Sequence, residues 1–480
     1  MATSSGSITS IGIGSGLDAA GIINKLMQVE AQGLSRLKTQ SDGISTTLST
    51  VGKLQANVSA LRDKANALVS PTLWTGTTAT SSDTAAVKVS TGINAPAGSY
   101  AVQVNRLASG QTVASGAFAA RTTALGAGTL SIELGRYADD GSFTAKSGGT
   151  PLTITLSAAD SSLETVRDRI NNAGAGLVAG IVQDANGARL TVRSRETGAE
   201  SAFRITATET TDDGDVATGL SALAYDAGVA DSPTRRTVTA ANAEAEINGI
   251  AVSAATNTLD NVIEGVTLNL SKTTTTPVQV EVAADTAAIK TAITDFVTAF
   301  NAVGSFIRTN TAYNEEAKKG GPLQGDQGVL ALQSQLRGVL NEASSASGVF
   351  GRLSDIGLVL KTDGTLETKA TKLDSALGNL PELRKLLATD GSSSADSGFV
   401  RRFKRLSDAA LGVQGLFDAR TSSLRQRVTS LDKAQSAEEQ RLQAVETRLK
   451  RQYTALDTTM ASLSGLGAYV TQQIAQMNKA

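Results

Sequence analysis

The stretch RLQAVETRLKRQYTALDTTMASL, from Arg441 to Leu463, decides how the chain is organised. Its leucines recur every seven residues, and a second row of larger side chains lies between them. Such a repeat places the apolar side chains on one stripe of a helix. The stripe consists of Leu442, Leu449, Tyr453, Leu456, Met460 and Leu463. The stretch predicts a long amphipathic helix at the C-terminal end.

The apolar pattern continues beyond Leu463. The segment Gly465-Leu466-Gly467 predicts a break in the helix, because glycine is a poor helix former. Val470, Ile474 and Met477 then follow at spacings of four and three, which is again helical. The sequence therefore predicts a C-terminal arm made of two helical pieces.

The N-terminal end repeats this pattern. A helix is predicted from Ile22 to Ser70, where Pro71 ends it because proline disfavours helical backbone one residue earlier. Its apolar side chains again recur at intervals of seven, at Leu37, Ile44, Val51, Val58 and Ala65. A helix that faces the chain's own core and a helix that faces a partner are both consistent with this stripe.

The two chain ends are uncharged. Residues 1–17 and residues 461–478 contain no Asp, Glu, Lys or Arg. A single narrow stripe buries too little apolar surface to offset the conformational entropy that a free arm loses on ordering. We therefore expect both arms to fold only against further copies or partners. The side chains expected to make these contacts are Leu26, Leu37, Ile44, Val51, Val58, Leu442, Leu449, Tyr453, Leu456, Met460, Leu463, Val470 and Ile474.

The composition excludes several classes of function. Lys and Arg number 44 against 45 Asp and Glu, so the chain has no basic excess for binding nucleic acid. It has no Cys and no His, which excludes disulfides, zinc–thiolate sites and serine–histidine triads. No apolar run approaches the ~20 residues that span a bilayer, and the N-terminus lacks a cleavable signal. We expect no cofactor, no metal and no membrane span.

Between the arms the pattern becomes that of β-strands. Leu152–Leu156 alternates with a period of two, and Asn186-Gly187 predicts a hairpin turn because both residues tolerate a positive φ. Leu163, Val166 and Ile170 predict one short helix. Further strands are predicted at residues 86–90, 100–104, 129–134, 177–183, 189–194, 244–247, 266–270 and 278–282.

Helical spacing returns after Asp285, a predicted N-cap, and across residues 325–340, before a second hairpin turn at Asp363-Gly364. The predicted fold is α+β and multidomain, with N- and C-terminal helical arms forming a coiled-coil-like leg and β-rich domains inserted between them. The expected parts are an N-terminal arm (1–40) that pairs with a C-terminal arm (445–480), a helical leg domain with a small β element (41–75 and 285–444), a β-rich domain (76–120 and 238–284), and an inserted outer β-rich domain with one short helix (121–237).

Three short motifs resemble those of ligand-binding or catalytic sites but lack the neighbouring elements that such sites require. Gly14-Ser-Gly16-Leu-Asp-Ala19 matches the G-x-G-x-x-A pattern of dinucleotide-binding turns, yet no buried strand precedes it. Ser35-Arg-Leu-Lys38 matches S-x-x-K without its K-T-G partner. Thr211-Asp-Asp-Gly-Asp215 lacks the ligand spacing of an EF-hand loop. We interpret them as part of a flexible arm, a solvent-facing helix surface and an exposed turn.

Several blocks form an ordered set along the chain. SIGIGSGLDAAGIINKLMQVE (residues 10–30) opens it, and RLKRQYTALDTTMASLSGLGAYV (residues 448–470) closes it. The blocks between them lie at residues 95–111, 243–270, 296–303 and 353–377. Together they resemble the flagellar filament cap family, also called the hook-associated protein 2 family. Residues 161–182, which contain Ile170-Asn171, are similar to a short I-N motif of flagellins and hook-associated proteins.

The resemblance implies an assembly protein rather than an enzyme. Members form a ring-like cap of about four to six copies at the extracellular tip of the flagellar filament, where they promote flagellin polymerisation. The implied partners are further copies, flagellin, the hook–filament junction protein and an export chaperone at the C-terminal arm. The implied route is the flagellar type III pathway, which removes no signal peptide.

Other functions stay open at this point. A hook–filament junction or filament subunit would carry similar helical arms, and a tip adhesin would use the β-rich domains for binding. A carboxylate-dependent glycan hydrolase is a remote alternative, because its two acids need not be close in sequence.

Overall fold

The computed structural model of the protein describes residues 18–316 and 318–477. Trp74–Asp285 form one compact unit, and the described residues on either side of that segment form the other. The unit Trp74–Asp285 consists mainly of strands, and the unit formed by the flanking residues consists mainly of helices. This confirms the predicted α+β fold with β-rich structure inserted between helical ends.

The helices are α1 (Ala19–Glu30), α2 (Gln32–Val69), α3 (Pro71–Thr75), α4 (Leu163–Asn172), α5 (Thr286–Thr311), α6 (Gln327–Asn341), α7 (Ala370–Leu377), α8 (Leu380–Ala388), α9 (Phe399–Leu411) and α10 (Leu416–Met477). The strands are β1 (Thr77–Ser81), β2 (Val87–Thr91), β3 (Gly98–Arg106), β4 (Thr112–Ala114), β5 (Gly128–Tyr137), β6 (Phe143–Ala145), β7 (Leu152–Leu156), β8 (Leu177–Asp184), β9 (Gly187–Ser194), β10 (Ala202–Glu209), β11 (Arg235–Val238), β12 (Ala243–Ile247), β13 (Ile250–Ala254), β14 (Thr258–Ile263), β15 (Val266–Leu270), β16 (Val278–Ala284), β17 (Tyr313–Asn314), β18 (Lys319–Gly320), β19 (Leu358–Leu360) and β20 (Leu366–Thr368).

The predicted N-terminal helix needs two corrections. It begins before Ile22, because the Asp18 carboxylate accepts a hydrogen bond from the Gly21 N–H at 2.8 Å and caps α1. It is also interrupted at Ala31, between α1 and α2, although Ala31 keeps helical hydrogen bonds on both sides. Helix α2 ends at Val69, as the proline at position 71 predicted.

The predicted break at Gly465-Leu466-Gly467 is wrong. Helix α10 runs without interruption from Leu416 to Met477, and both glycines have ordinary negative φ angles. A glycine in a helix interior costs about 1 kcal/mol relative to alanine, which weakens a helix without ending it. The C-terminal arm is therefore the end of one continuous helix, α10, which is about 90 Å long at 1.5 Å per residue.

Helix α2 is the centre of the helical unit. It packs against α5, α9 and α10, and its second half is buried on the face that carries Val51, Leu54, Val58 and Leu61. Phe403 of α9 completes this core. Its ring centroid lies 5.4 Å from that of Phe296 and 5.5 Å from that of Phe300, both on α5.

A buried charge joins two loops to this core. Arg402 of α9 is 5% exposed, and its guanidinium donates to the carbonyl oxygens of Ser397, Ala343 and Ala395. Burial lowers the pKa of Arg402, and the carboxylate of Glu342 at 3.4 Å opposes that shift. The carbonyls satisfy a charge that would otherwise be costly to bury.

Glu382 at the start of α8 makes the stability of this region depend on pH. Lys385, the Ser347 hydroxyl and the Gly348 N–H hydrogen-bond its carboxylate and lower its pKa from 4.5 to about 2. The stabilisation is therefore present above pH 4.5 and is lost as the pH falls toward 2.

We expect Glu382→Gln to flatten the acid side of a plot of urea-unfolding free energy against pH. Glu315→Gln, at an exposed position, is the control, and equal slopes for the two variants would contradict this assignment.

The β-rich unit contains two modules. In the inner module, a five-stranded sheet of order β1-β16-β3-β12-β13 and a three-stranded sheet of order β14-β15-β2 enclose one core. In the outer module, β10-β5-β6, with β7 also on β5, packs with the sheet β11-β4-β9-β8 and with α4 around a second core. The predicted strands at Leu152–Leu156 and Val266–Leu270 and the predicted short helix α4 are confirmed.

Both predicted hairpins are present, one with a shifted loop. Strands β8 and β9 pair from Asp184 to Gly187, so the loop is Ala185-Asn186 rather than Asn186-Gly187. Gly187 has φ = 133°, and a Cβ there would lie 2.2 Å from the carbonyl oxygen of Phe118, so only glycine fits. Strands β19 and β20 flank Asp363-Gly364, where Gly364 has φ = 81°.

Candidate assembly surface

Helices α1 and α2 run antiparallel to α10. Glu30 at the end of α1 meets Arg441, Lys38 of α2 meets Glu439, and Ile44 lies beside Leu431. Residue numbers along α1 and α2 therefore rise as the numbers of their partners on α10 fall. From Arg441 onward, the later turns of α10 run alongside α1 and past its N-terminal end.

Arg441 anchors this junction. Its guanidinium donates to both carboxylate oxygens of Glu438 and to Glu30, each at 2.9 Å, and these bonds raise the pKa of Arg441 above its ordinary value. The same contact lowers the pKa of Glu438. Gly33 lies against this group, since a Cβ there would be 2.9 Å from a Glu438 carboxylate oxygen. Exposed ion pairs contribute about 1 kcal/mol or less, so these contacts add little to the stability of the protein. Their main effect is to set where α1 lies along α10.

The predicted contact residues fall into three groups. Val51, Val58 and Leu442 are buried inside the chain's own helical unit. Leu37, Ile44, Leu449 and Tyr453 are half-buried along the α2–α10 and α1–α10 contacts. The exposed group is Leu26, Leu456, Met460, Leu463, Val470 and Ile474.

The exposed residues of α10 form one continuous feature, which we call the distal stripe: Leu456, Met460, Leu463, Gly467, Val470 and Ile474. These positions are spaced alternately by four and three residues and so lie on one face of the helix. The apolar side chains of the stripe are between 40% and 59% exposed. Gly467 in the middle of the stripe would let a partner helix approach closely.

Apolar residues that the sequence pattern missed widen this surface. Leu466 is 64% exposed and borders the distal stripe, whereas Tyr469, which is 60% exposed, lies toward the opposite face of α10. On α1, Ile22 and Val29 flank the predicted Leu26, while Ile23 on another face is buried. The signal for Ile22 and Val29 was their spacing of four and three around Leu26, which is the same rule that identified the stripe.

Two of the three chemical motifs lie within the described residues. Lys38 pairs with Glu439 at 3.7 Å on the helix surface, as the solvent-facing interpretation of S-x-x-K requires. Glu209, the half-buried last residue of β10, comes together with Asp212 and Asp213 of the exposed loop that follows, and these two accept hydrogen bonds from the backbone of the turn itself. Gly14 and Gly16 of the G-x-G-x-x-A pattern lie outside the described residues, and the structure therefore does not test that interpretation.

None of the helices formed by the described residues combines the length and apolar character needed to cross a membrane.

Comparison with known proteins identifies the family. The family model for the flagellar hook-associated protein 2 N-terminus matches residues 15–111, and that for the C-terminus matches residues 240–465. The flagellar hook-associated protein 2 of Escherichia coli K12 is 32% identical over 97% of this chain and 98% of its own length. The B-type flagellar hook-associated protein 2 of Pseudomonas aeruginosa is 31% identical over 98% of each chain.

A solved structure agrees with the sequence comparisons. The crystal structure of the D1-D2-D3 domains of the flagellar cap protein FliD from Escherichia coli superposes with a TM-score of 0.56 at 31% identity. The superposition covers 78% of this chain and 99% of that one. The predicted resemblance is confirmed, and the chain belongs to the flagellar hook-associated protein 2 family.

Proposed function

We propose that this protein caps the flagellar filament, where it promotes flagellin polymerisation and prevents the loss of exported subunits. The observation that carries the proposal is the distal stripe, a row of exposed apolar side chains whose second part, from Leu463 to Ile474, lies in the uncharged segment 461–478. An exposed apolar surface of that kind favours burial against other helices over exposure to water. The relatives of this chain are flagellar cap proteins.

We further propose that the two arms pair, residues 1–40 with residues 445–480. Helix α1 runs antiparallel to α10, so its N-terminal end points toward the distal stripe. Residues 1–17 and residues 461–478 contain no charged side chain, so pairing these two segments would bury none. The apolar face that remains would meet helices of flagellin or of the hook–filament junction protein.

The remaining parts of the proposal concern assembly and location. The copies form a closed ring of about four to six at the extracellular filament tip, and the β-rich unit forms its plate. The chain leaves the cell through the flagellar type III pathway, with an export chaperone bound at the C-terminal arm. Its work requires contacts that form and release as subunits enter, and no bond-making chemistry.

Imaging of the purified full chain, together with a deletion strain, tests this function. We expect rings in negative-stain micrographs, and we expect cells lacking the gene to release unpolymerised flagellin into the medium and to lack filaments. Filaments of normal length on the deletion strain, with only surface attachment lost, would contradict the cap and favour an adhesin. Hydrolysis of peptidoglycan by the purified protein would favour the remote glycan-hydrolase alternative.

A further inference from the structure

Strand β8 forms one edge of the four-stranded sheet in the outer module, which has the order β11-β4-β9-β8. Its sequence is LVAGIVQD, with no charged residue before Asp184 and no proline. Val182 on this strand is 52% exposed. An edge strand of this composition is a template on which another extended chain can pair.

The register shows which backbone groups face outward. Asp184 pairs with Gly187 across a two-residue loop, so the two residues exchange hydrogen bonds, and the alternation continues to Val182, Gly180 and Val178. The backbone groups of Ala179, Ile181 and Gln183 therefore point away from β9, toward the open edge.

Asn171 occupies that edge. It lies near the end of α4, next to Ile170, which is buried in the core of the outer module. Its Nδ2 donates to the Ala179 carbonyl oxygen at 2.9 Å, and its Oδ1 accepts from the Ala179 N–H at 2.8 Å. The carboxamide thus makes both hydrogen bonds that a neighbouring strand would make with Ala179.

The opposite edge of the same sheet is protected by different means. Strand β11 has only four residues, and Arg235 and Arg236 are exposed on it. Its pairing with β4 shifts register between Arg236 and Val238. Short length, charge and irregular pairing all discourage strand addition. Both edges of this sheet therefore carry a feature that discourages pairing with another strand.

We propose that Asn171, the polar residue of the I-N motif, is an edge guard that prevents β8 from pairing with β8 of a second copy. Two β8 strands can pair antiparallel without bringing like charges together over residues 177–183. The guard is needed wherever copies of the chain are concentrated, because the effective concentration of the open edge is then high. The proposal does not depend on the cap function, since it concerns only the outer module and a second copy.

The test uses the full chain and the variant Asn171→Leu, with Asn172→Leu as the matched control on the same helix. In Asn171→Leu, we expect hydrogen exchange of the Ala179 amide to be at least about tenfold faster than in wild type. We also expect light scattering above the wild-type level as concentration rises. Adding Val182→Lys, which places a charge on the exposed edge, should return the scattering to the wild-type level. Asn172→Leu should match wild type in both measurements.

Three outcomes would overturn the proposal: unchanged exchange at Ala179, unchanged scattering in a folded Asn171→Leu protein, or scattering that Val182→Lys fails to reverse. Circular dichroism and the unfolding temperature report whether the variant folds. If leucine itself disturbs the fold, Asn171→Ala takes its place in the test because it introduces less apolar surface. It should give the same faster exchange at Ala179 and the same increase in light scattering. A merely structural role would lower the unfolding temperature without producing association that depends on β8.

Discussion

Replacing Leu463 and Val470 with aspartate (L463D/V470D) will abolish filament growth while leaving both units of the protein folded. Both side chains lie in the distal stripe and are exposed in the single chain, so the change removes no internal packing. In the assembled state, each carboxylate would be buried against an apolar partner, at a cost of several kcal/mol per uncompensated charge. Since each 1.4 kcal/mol is a factor of ten in affinity, the combined loss exceeds about a thousandfold.

The matched control places the same charges on the opposite face of the same helix. Thr458 and Gln472 are exposed and lie about half a turn away from the stripe. T458D/Q472D should support filaments of wild-type length, counted by electron microscopy of the complemented deletion strain. The amount of each variant secreted into the medium separates a failure of export from a failure of capping. Normal filaments on L463D/V470D cells would show that the distal stripe makes no essential contact.

The second large effect concerns stability. Phe403→Ala should lower the unfolding free energy of the helical unit by about 3–5 kcal/mol, because it removes a fully buried ring and leaves a cavity between α5 and α9. Urea unfolding followed by far-UV circular dichroism, which reports mainly on helices here, measures this change. Val413→Ala, at a position that is 93% exposed, is the control and should change the free energy by less than about 0.5 kcal/mol. A loss below about 1 kcal/mol for Phe403→Ala would mean that the site is not packed as described.

The helical arms could be found from the sequence because their pattern is strong and repeated. What the pattern could not show is which partner covers each stripe. Val51 and Leu456 occupy equivalent positions in similar repeats, yet Val51 is covered by helices of its own chain and Leu456 is exposed. The difference lies in α5 and α9, which pack against α2, whereas the apolar side chains of the distal stripe are exposed. Only the tertiary arrangement separates buried from exposed positions.

Helix α9 was missed because a charge lies on its buried face. In FVRRFKRLSDAAL, Arg402 lies between Phe399 and Phe403 and interrupts the apolar row. The structure resolves the conflict, since Arg402 donates to carbonyl oxygens of two loops that are distant in sequence. A rule based on apolar spacing does not anticipate a buried arginine whose partners are backbone groups.

The short strands were missed for a different reason. Strands β4, β6 and β11 have only three or four residues, too few to show a period of two. They are strands because neighbours such as β9 and β5 supply their hydrogen bonds. The shifted hairpin loop at Ala185-Asn186 also involves a contact that is distant in sequence, since Gly187 lies against the backbone of Phe118.

We propose that the distal part of α10 gains stable order only from neighbouring chains. Hydrogen–deuterium exchange of residues 456–474, measured in the isolated monomer and in caps on filaments, tests it most directly, with residues 51–68 of α2 as the internal reference. We expect rapid exchange in the monomer and at least about a hundredfold slower exchange in the assembled cap, while α2 is protected in both. Equal, strong protection of residues 456–474 in the monomer would contradict it.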